Sequence, residues 1–296
     1  MEKAREWLSS FNSGYQGEIQ SIVSAEPSKK SAPTTISITG GKGGVGKTSV
    51  ALKLAKELSK QGSKVLLIDC DTNLSNTAIK LELPVDNTFY SLVSAEKKFA
   101  DCLYKDGDFH LLSACNGSID LFDTSFRLEE IIIDIISSHG GDYDYVLLDC
   151  PAGLSRDSLT LNAYCDKRIF IVTPDKSSVT DSYSLIKVLN KKFGVNENHI
   201  LLNKVHNKTQ YNRIVKTLSE TIENYLGCRT KVLGGIKQLD ILASQFDRYF
   251  LDGGKNDLQR NFNKVMERLT EELSGKSSRE LIIPSRSQKL IEQEVH

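Results

Sequence analysis

Residues Ile38–Val50 read ITGGKGGVGKTSV, with five glycines set among two lysines and two threonines. Gly41 to Thr48 fit the pattern G-x-x-x-x-G-K-[ST]. A strand-like run, TISITG (35–40), precedes it, and a helical pattern from Val50 to Lys60 follows. Glycines let successive backbone N–H groups turn inward to phosphate oxygens, and a helix N-terminus adds its positive dipole. Lys47 is placed to reach the β and γ phosphates, and Thr48 offers a hydroxyl to Mg²⁺. A merely flexible turn would need neither the strand before it nor the Lys-Thr pair at its end. The set expected around phosphate is therefore Gly41, Lys42, Gly43, Gly44, Val45, Gly46, Lys47, Thr48 and Ser49. Lys42 is an additional cation that the pattern itself does not require.

Moving outward, apolar strand-like runs alternate with helical patterns. KVLLIDCD (64–71), YDYVLLDC (143–150), RIFIVTP (168–174) and HILLNKV (199–205) read as strands; 128–138 and 179–192 read as helices. Strands apolar on both faces and separated by helices predict an α/β fold: a doubly wound, mostly parallel sheet covered by helices on both faces. Asp69 and Asp71 end one strand and Asp149 ends another, at the carboxyl edge where open α/β sheets bind ligands. A surface turn is the alternative for any one of them. Following the glycine loop in this order, Thr48, Asp69 and Asp149 are expected around Mg²⁺, with Pro151 and Gly153 shaping a turn near the terminal phosphate.

With 296 residues, 39% apolar, the chain can bury one sizeable core. Lysine plus arginine equals aspartate plus glutamate at 38 each, so no charge excess points to nucleic acid as a partner. Six cysteines include no C-x-x-C pair, and the five histidines show no metal-ligand spacing. These features, with no apolar signal region and no long apolar span, predict a cytoplasmic protein with reduced thiols.

Three parts are expected: an N-terminal helix and linker (1–33), one nucleotide-binding domain (34–273) and a tail (274–296). Ala4, Trp7, Leu8 and Phe11 lie at helical spacing ahead of the polar, proline-broken SAEPSKKSAPT (24–34). That helix either docks a partner or folds back on the domain. Leu258, Phe262, Val265, Leu269 and Leu273 form one stripe of a helix over 257–273, suited to the core or to a lipid interface. The tail, RELIIPSRSQKLIEQEVH (279–296), mixes apolar and basic residues but is interrupted by Pro284, so only weak membrane contact is expected from it.

Taken together, KGGVGKT, DCDTNLSN (69–76) and LLDCPAGL (147–154) resemble the deviant P-loop ATPases of the MinD and ParA group. VTPDKSSVTDSYSLIKVL (172–189) looks like the flagellar-number regulators of the FlhG type within that group. The resemblance spans roughly 34–268 and implies ATP and Mg²⁺ as ligands, an ATP-dependent homodimer and slow hydrolysis. It makes Lys42 a lysine that crosses to the partner's nucleotide, Lys47 the lysine of the chain's own site, and Asp71 the carboxylate orienting the attacking water. Asn203 matches an adenine-reading asparagine, beside a simple capping or turn role; Asn76 matches an asparagine of its segment, and Asn73 stands where glycine is usual. LGGIKQLD (233–240), with Lys237 and Gln238 where proline is frequent, corresponds to a loop near the base. The same resemblance implies control of flagellar number or placement, a GTPase of the FlhF type as partner of the N-terminal helix, and a location at the inner face of the membrane. Division-site placement of the MinD kind, or ParA-like segregation, is the alternative. Iron–sulfur carriers would need paired cysteines, and tyrosine autokinases a tyrosine-rich tail, whereas the last tyrosine here is Tyr249.

Overall fold

The strand leading into the glycine loop has two unlike faces. In β1 (Thr34–Thr39), Ile36 and Ile38 are buried against one layer of helices, while Ser37 and Thr39 are equally buried on the other side. The expectation of strands apolar on both faces fails here because the second face is hydrogen-bonded. Ser37 Oγ donates to Asn162 Oδ1 (2.8 Å), Asn162 Nδ2 donates to Thr39 Oγ1 (3.1 Å), and Thr35 donates from N and Oγ1 to Asp166 Oδ2. A buried polar group is tolerated only when satisfied in this way, so the network fixes β1 in one register over the helix that carries Asn162.

The computed structural model describes residues 32–71, 76–83, 88–94, 96–113, 127–254 and 256–274. The expected N-terminal helix with most of its linker, Asn73, and the tail from 275 onward lie outside the described residues. From β1 the chain runs through α1 (Lys47–Lys60), β2 (Val65–Asp69), the short helices α2 (Asn76–Lys80) and α3 (Thr88–Val93), and a hairpin of β3 (Tyr104–Asp106) and β4 (Phe109–Ser113). It continues through α4 (Leu128–His139), β5 (Tyr145–Asp149), α5 (Arg156–Tyr164), β6 (Lys167–Val172), α6 (Lys176–Phe193) and β7 (Glu197–Val205). α7 (Lys208–Leu226), β8 (Arg229–Lys237), α8 (Ala243–Leu251) and α9 (Asp257–Leu273) complete it. The eight strands lie in the order β3-β4-β2-β5-β1-β6-β7-β8, parallel throughout except for the β3–β4 edge.

β1 therefore sits between β5 and β6, and its register aligns Ile38 with Asp149, which is aligned with Asp69 on β2. Adjacent parallel strands ending on one line bring the glycine loop and the acidic strand ends to the same edge. LGGIKQLD, expected as a loop, instead enters β8 as far as Lys237. Two successive glycines weaken a strand signal, yet pairing with β7 and cover by α9 hold this segment extended.

α1, α8 and α9 cover one face of the sheet, and α3 to α7 cover the other. Leu258, Phe262, Val265, Met266 and Leu269 of α9 are all buried, so its stripe belongs to the core and is not available to lipid. Phe262 meets Phe250 of α8 edge to face at 5.3 Å. Phe262→Ala should cost about 3–5 kcal/mol in urea unfolding, because a fully buried ring is replaced by a cavity; a loss below about 1 kcal/mol would show that α9 is only loosely attached.

Candidate nucleotide-binding site

The glycine loop is tied down from outside at several points. Asn203 Nδ2, at the end of β7, donates to the Val45 carbonyl (2.8 Å), and Lys204 Nζ donates to the Gly44 carbonyl (2.9 Å). In a trans peptide the carbonyl and the following N–H point in opposite directions, so these two bonds aim the N–H groups of Gly46 and Val45 the other way. Gly46 itself adopts φ 96°, and a Cβ there would lie 2.4 Å from Asn203 Nδ2. Only glycine satisfies both the left-handed backbone and the close approach. Gly41 is pressed on α6: a Cβ would fall 2.2 Å from the Asp181 backbone carbon. Gly153, in the turn after β5, donates its N–H to the Gly40 carbonyl (3.3 Å).

α1 starts from Gly46 with no side-chain cap, whereas Ser155, Asp175, Asn207 and Asn256 cap α5, α6, α7 and α9. The first N–H groups of α1 are thus left for an anion, next to Lys47, which is itself 9% exposed. Among the loop residues, Ser49 is diverted: its Oγ donates to Asp247 Oδ1 of α8 (2.6 Å), and Asp247 also pairs with Lys80 of α2. Asp247 stands 198 residues from Ser49 with no motif around it, and nothing in the sequence pattern signals this contact.

The acidic strand ends meet as expected, with different surroundings. Asp69 is buried; its Oδ1 accepts the Asp71 N–H (3.1 Å) and its Oδ2 accepts the Thr77 hydroxyl. Asp71 lies just beyond, half-buried at the lip of the site. Asp149 is buried beside Thr48, which hydrogen-bonds its carboxylate, and its Oδ1 has no hydrogen-bond partner among the described residues. Such an oxygen suits the water shell of a hard divalent cation, which keeps several waters and takes few protein ligands, so Asp149 fits Mg²⁺, with Thr48 beside it and Asp69 aligned with it on β2.

Lys42 points elsewhere. Its Nζ lies 3.0 Å from Asp175 Oδ1 and 2.8 Å from Ser177 Oγ at the start of α6, and its side chain is 44% exposed. Asp175 also caps α6 by accepting the Ser178 N–H and takes hydrogen bonds from Thr173 and Ser177. Burial raises its pKa, but those hydrogen bonds and the one from Lys42 outweigh it and hold the carboxyl well below the usual range.

Burial pushes Asp149 the other way, from 3.8 up to about 6, against the lowering effects of Thr48 and Lys47. Between those two values the folded chain holds a proton that the unfolded chain has lost, so raising pH through that window costs the fold stability. Asp149→Asn removes a cost of about 2–3 kcal/mol in the nucleotide-free protein. Urea unfolding should find variant and parent alike near pH 4 and the variant more stable above about pH 6; a variant less stable at neutral pH would contradict this electrostatic reading.

With this geometry, comparison with known proteins becomes specific. The AAA domain family matches residues 33–202. The antiactivator FleN of Pseudomonas aeruginosa is 27% identical over 202 residues, covering 68% of this chain and 72% of that protein. The septum site-determining protein MinD of Bacillus subtilis is 29% identical over 192 residues, covering 64% and 71%. The structure of MinD from Pyrococcus horikoshii in complex with Mg-ADP superposes with a TM-score of 0.66 at 22% identity, over 83% of this chain and all of that one. Family match, fold and phosphate loop agree: the chain belongs to the AAA domain family and, within it, to the MinD/ParA group of P-loop ATPases.

Proposed function

We propose that this ATPase is a nucleotide-driven dimerising switch of the FlhG type, acting on the number or placement of flagella. The observation that carries the switch is the position of Lys42. Its ammonium lies on the exposed start of α6, bound among the described residues by a half-exposed carboxylate and a hydroxyl. Exposed ion pairs of this kind contribute at most about 1 kcal/mol, so a phosphate presented by a second protomer competes easily for the lysine.

In the proposed cycle the loop N–H groups and Lys47 hold the β and γ phosphates of ATP, with Gly41, Gly43, Gly44, Val45, Gly46, Thr48 and, through its backbone N–H alone, Ser49 completing the cradle. Thr48, Asp69 and Asp149 hold Mg²⁺, which when bound neutralises phosphate charge. Asp71 fixes the attacking water by accepting its hydrogen bond. Lys42 adds its charge from the partner subunit as negative charge spreads over the equatorial oxygens. Asn203 keeps one amide proton and one lone pair beyond its bonds to Val45 and Lys204, enough for an adenine contact.

The flagellar output rests on the α6 sequence and on the likeness to FleN. In this reading the N-terminal segment 1–33 engages an FlhF-like GTPase, and the tail gives a weak foothold at the inner membrane face. The comparable likeness to MinD supports division-site placement as the second reading, with a partner surface in place of the GTPase. Among the described residues no helix is long and apolar enough to cross a membrane.

Light scattering with ATP and a phosphate-release assay test the switch together. Lys42→Ala should stay monomeric and lose turnover, while Asp71→Ala should accumulate the dimer with turnover down by about 100-fold or more. A Lys42→Ala protein that dimerises and turns over like the parent would overturn the reading.

A further inference from the structure

At the opposite end of β7 from the glycine loop, three ligating side chains converge with no role in the nucleotide site. Glu197 and His199 lie two residues apart on one face of β7, and Glu272 reaches them from α9. One donor atom from each lies within 4.8 Å of the others. His199 Nε2 is 3.9 Å from Glu272 Oε2, too far for a hydrogen bond.

Lys231, aligned with His199 on β8, spans the two carboxylates: its Nζ lies 3.2 Å from Glu197 Oε2 and pairs with Glu272 Oε2. Its ammonium accounts for the acids and leaves the imidazole unexplained. His199 is 1% exposed, and neither ring nitrogen has a hydrogen-bond partner among the described residues. A buried imidazole left in that condition costs free energy that a clamp of ion pairs does not return. A divalent cation would engage all three, because the unprotonated imidazole nitrogen offers it a lone pair beside two carboxylates, and no described donor, Lys231 included, is hydrogen-bonded to that nitrogen.

We propose that Glu197, His199 and Glu272 form a binding site for a zinc-like divalent cation that ties α9 to the sheet. The donors of a tetrahedral zinc stand about 3.4 Å apart, so the present spread closes by side-chain rotation alone. Lys231 is about one-third exposed and its flexible stem can swing to water. The two carboxylates then balance the ion, and Lys167 keeps its 3.1 Å contact with Glu197 Oε1. Imidazole favours zinc, copper or nickel over magnesium, which separates this site from the one at the glycine loop.

The test is equilibrium dialysis of the full-length, nucleotide-free chain against Zn²⁺ alone. The parent should bind one zinc at this site, His199→Gln and Glu272→Gln should bind it at least about tenfold more weakly, and Lys231→Met should bind it more tightly by losing the competing ammonium. Zinc should also raise the unfolding midpoint of the parent and not that of Glu272→Gln. If His199→Gln fails to fold, Glu272→Gln and Lys231→Met decide the matter. Zinc uptake unchanged in Glu272→Gln, or no zinc retained by either the parent or Lys231→Met, would reduce the cluster to an ion-pair clamp and overturn the proposal.

Discussion

The site depends on which way the glycine loop turns its peptide groups. Two hydrogen bonds decide this, from Asn203 to the Val45 carbonyl and from Lys204 to the Gly44 carbonyl. A carbonyl held outward leaves the next N–H facing inward. The loop therefore does not wait for a ligand to organise it, and a preformed cradle avoids much of the ordering cost of binding. Lys204 accepts φ 58°, unusual for a side chain other than glycine, to bring its ammonium back over the loop. The end of β7 thus carries strain so that the loop after β1 keeps its shape.

Other features of the site are costly in the same sense. The helix after the loop begins with uncapped N–H groups, and Asp149 is buried with one oxygen unpartnered. Both would be eased by a conventional cap or an asparagine, yet both are what an anion and its cation need. Stability comes instead from the surroundings: the Ser37–Asn162–Thr39 network under β1, and the aromatic contact of Phe250 with Phe262 on the other face.

Much of this was legible in the sequence, for definite reasons. β2, β5, β6 and β7 are short apolar runs flanked by turns or helices, β1 alternates isoleucines with hydroxyl side chains, and α9 repeats its apolar residues with helical period. Phosphate-loop spacing and the acidic strand ends carried the site. The β3–β4 hairpin escaped because β3 is exposed throughout and has no apolar alternation, and β8 because two glycines interrupt it. α7 went unread although Tyr211, Ile214, Val215, Leu218, Ile222 and Leu226 recur with helical period along its packed face, of which only Leu218 and Ile222 are fully buried. Contacts such as Lys42 with Asp175 and Ser49 with Asp247 join residues 133 and 198 positions apart, and no local pattern encodes them.

The central claim, that the loop is built in advance and held by Asn203, is tested most directly with a ligand that has phosphates and no base. Inorganic tripolyphosphate binding, measured calorimetrically on the parent and on Asn203→Ala, excludes any adenine contact. Freeing the Val45 carbonyl should weaken binding by about tenfold or more, since one buried hydrogen bond that fixes the cradle is lost. Equal affinity in a folded Asn203→Ala protein would show that the loop keeps its shape without this anchor and would contradict the account.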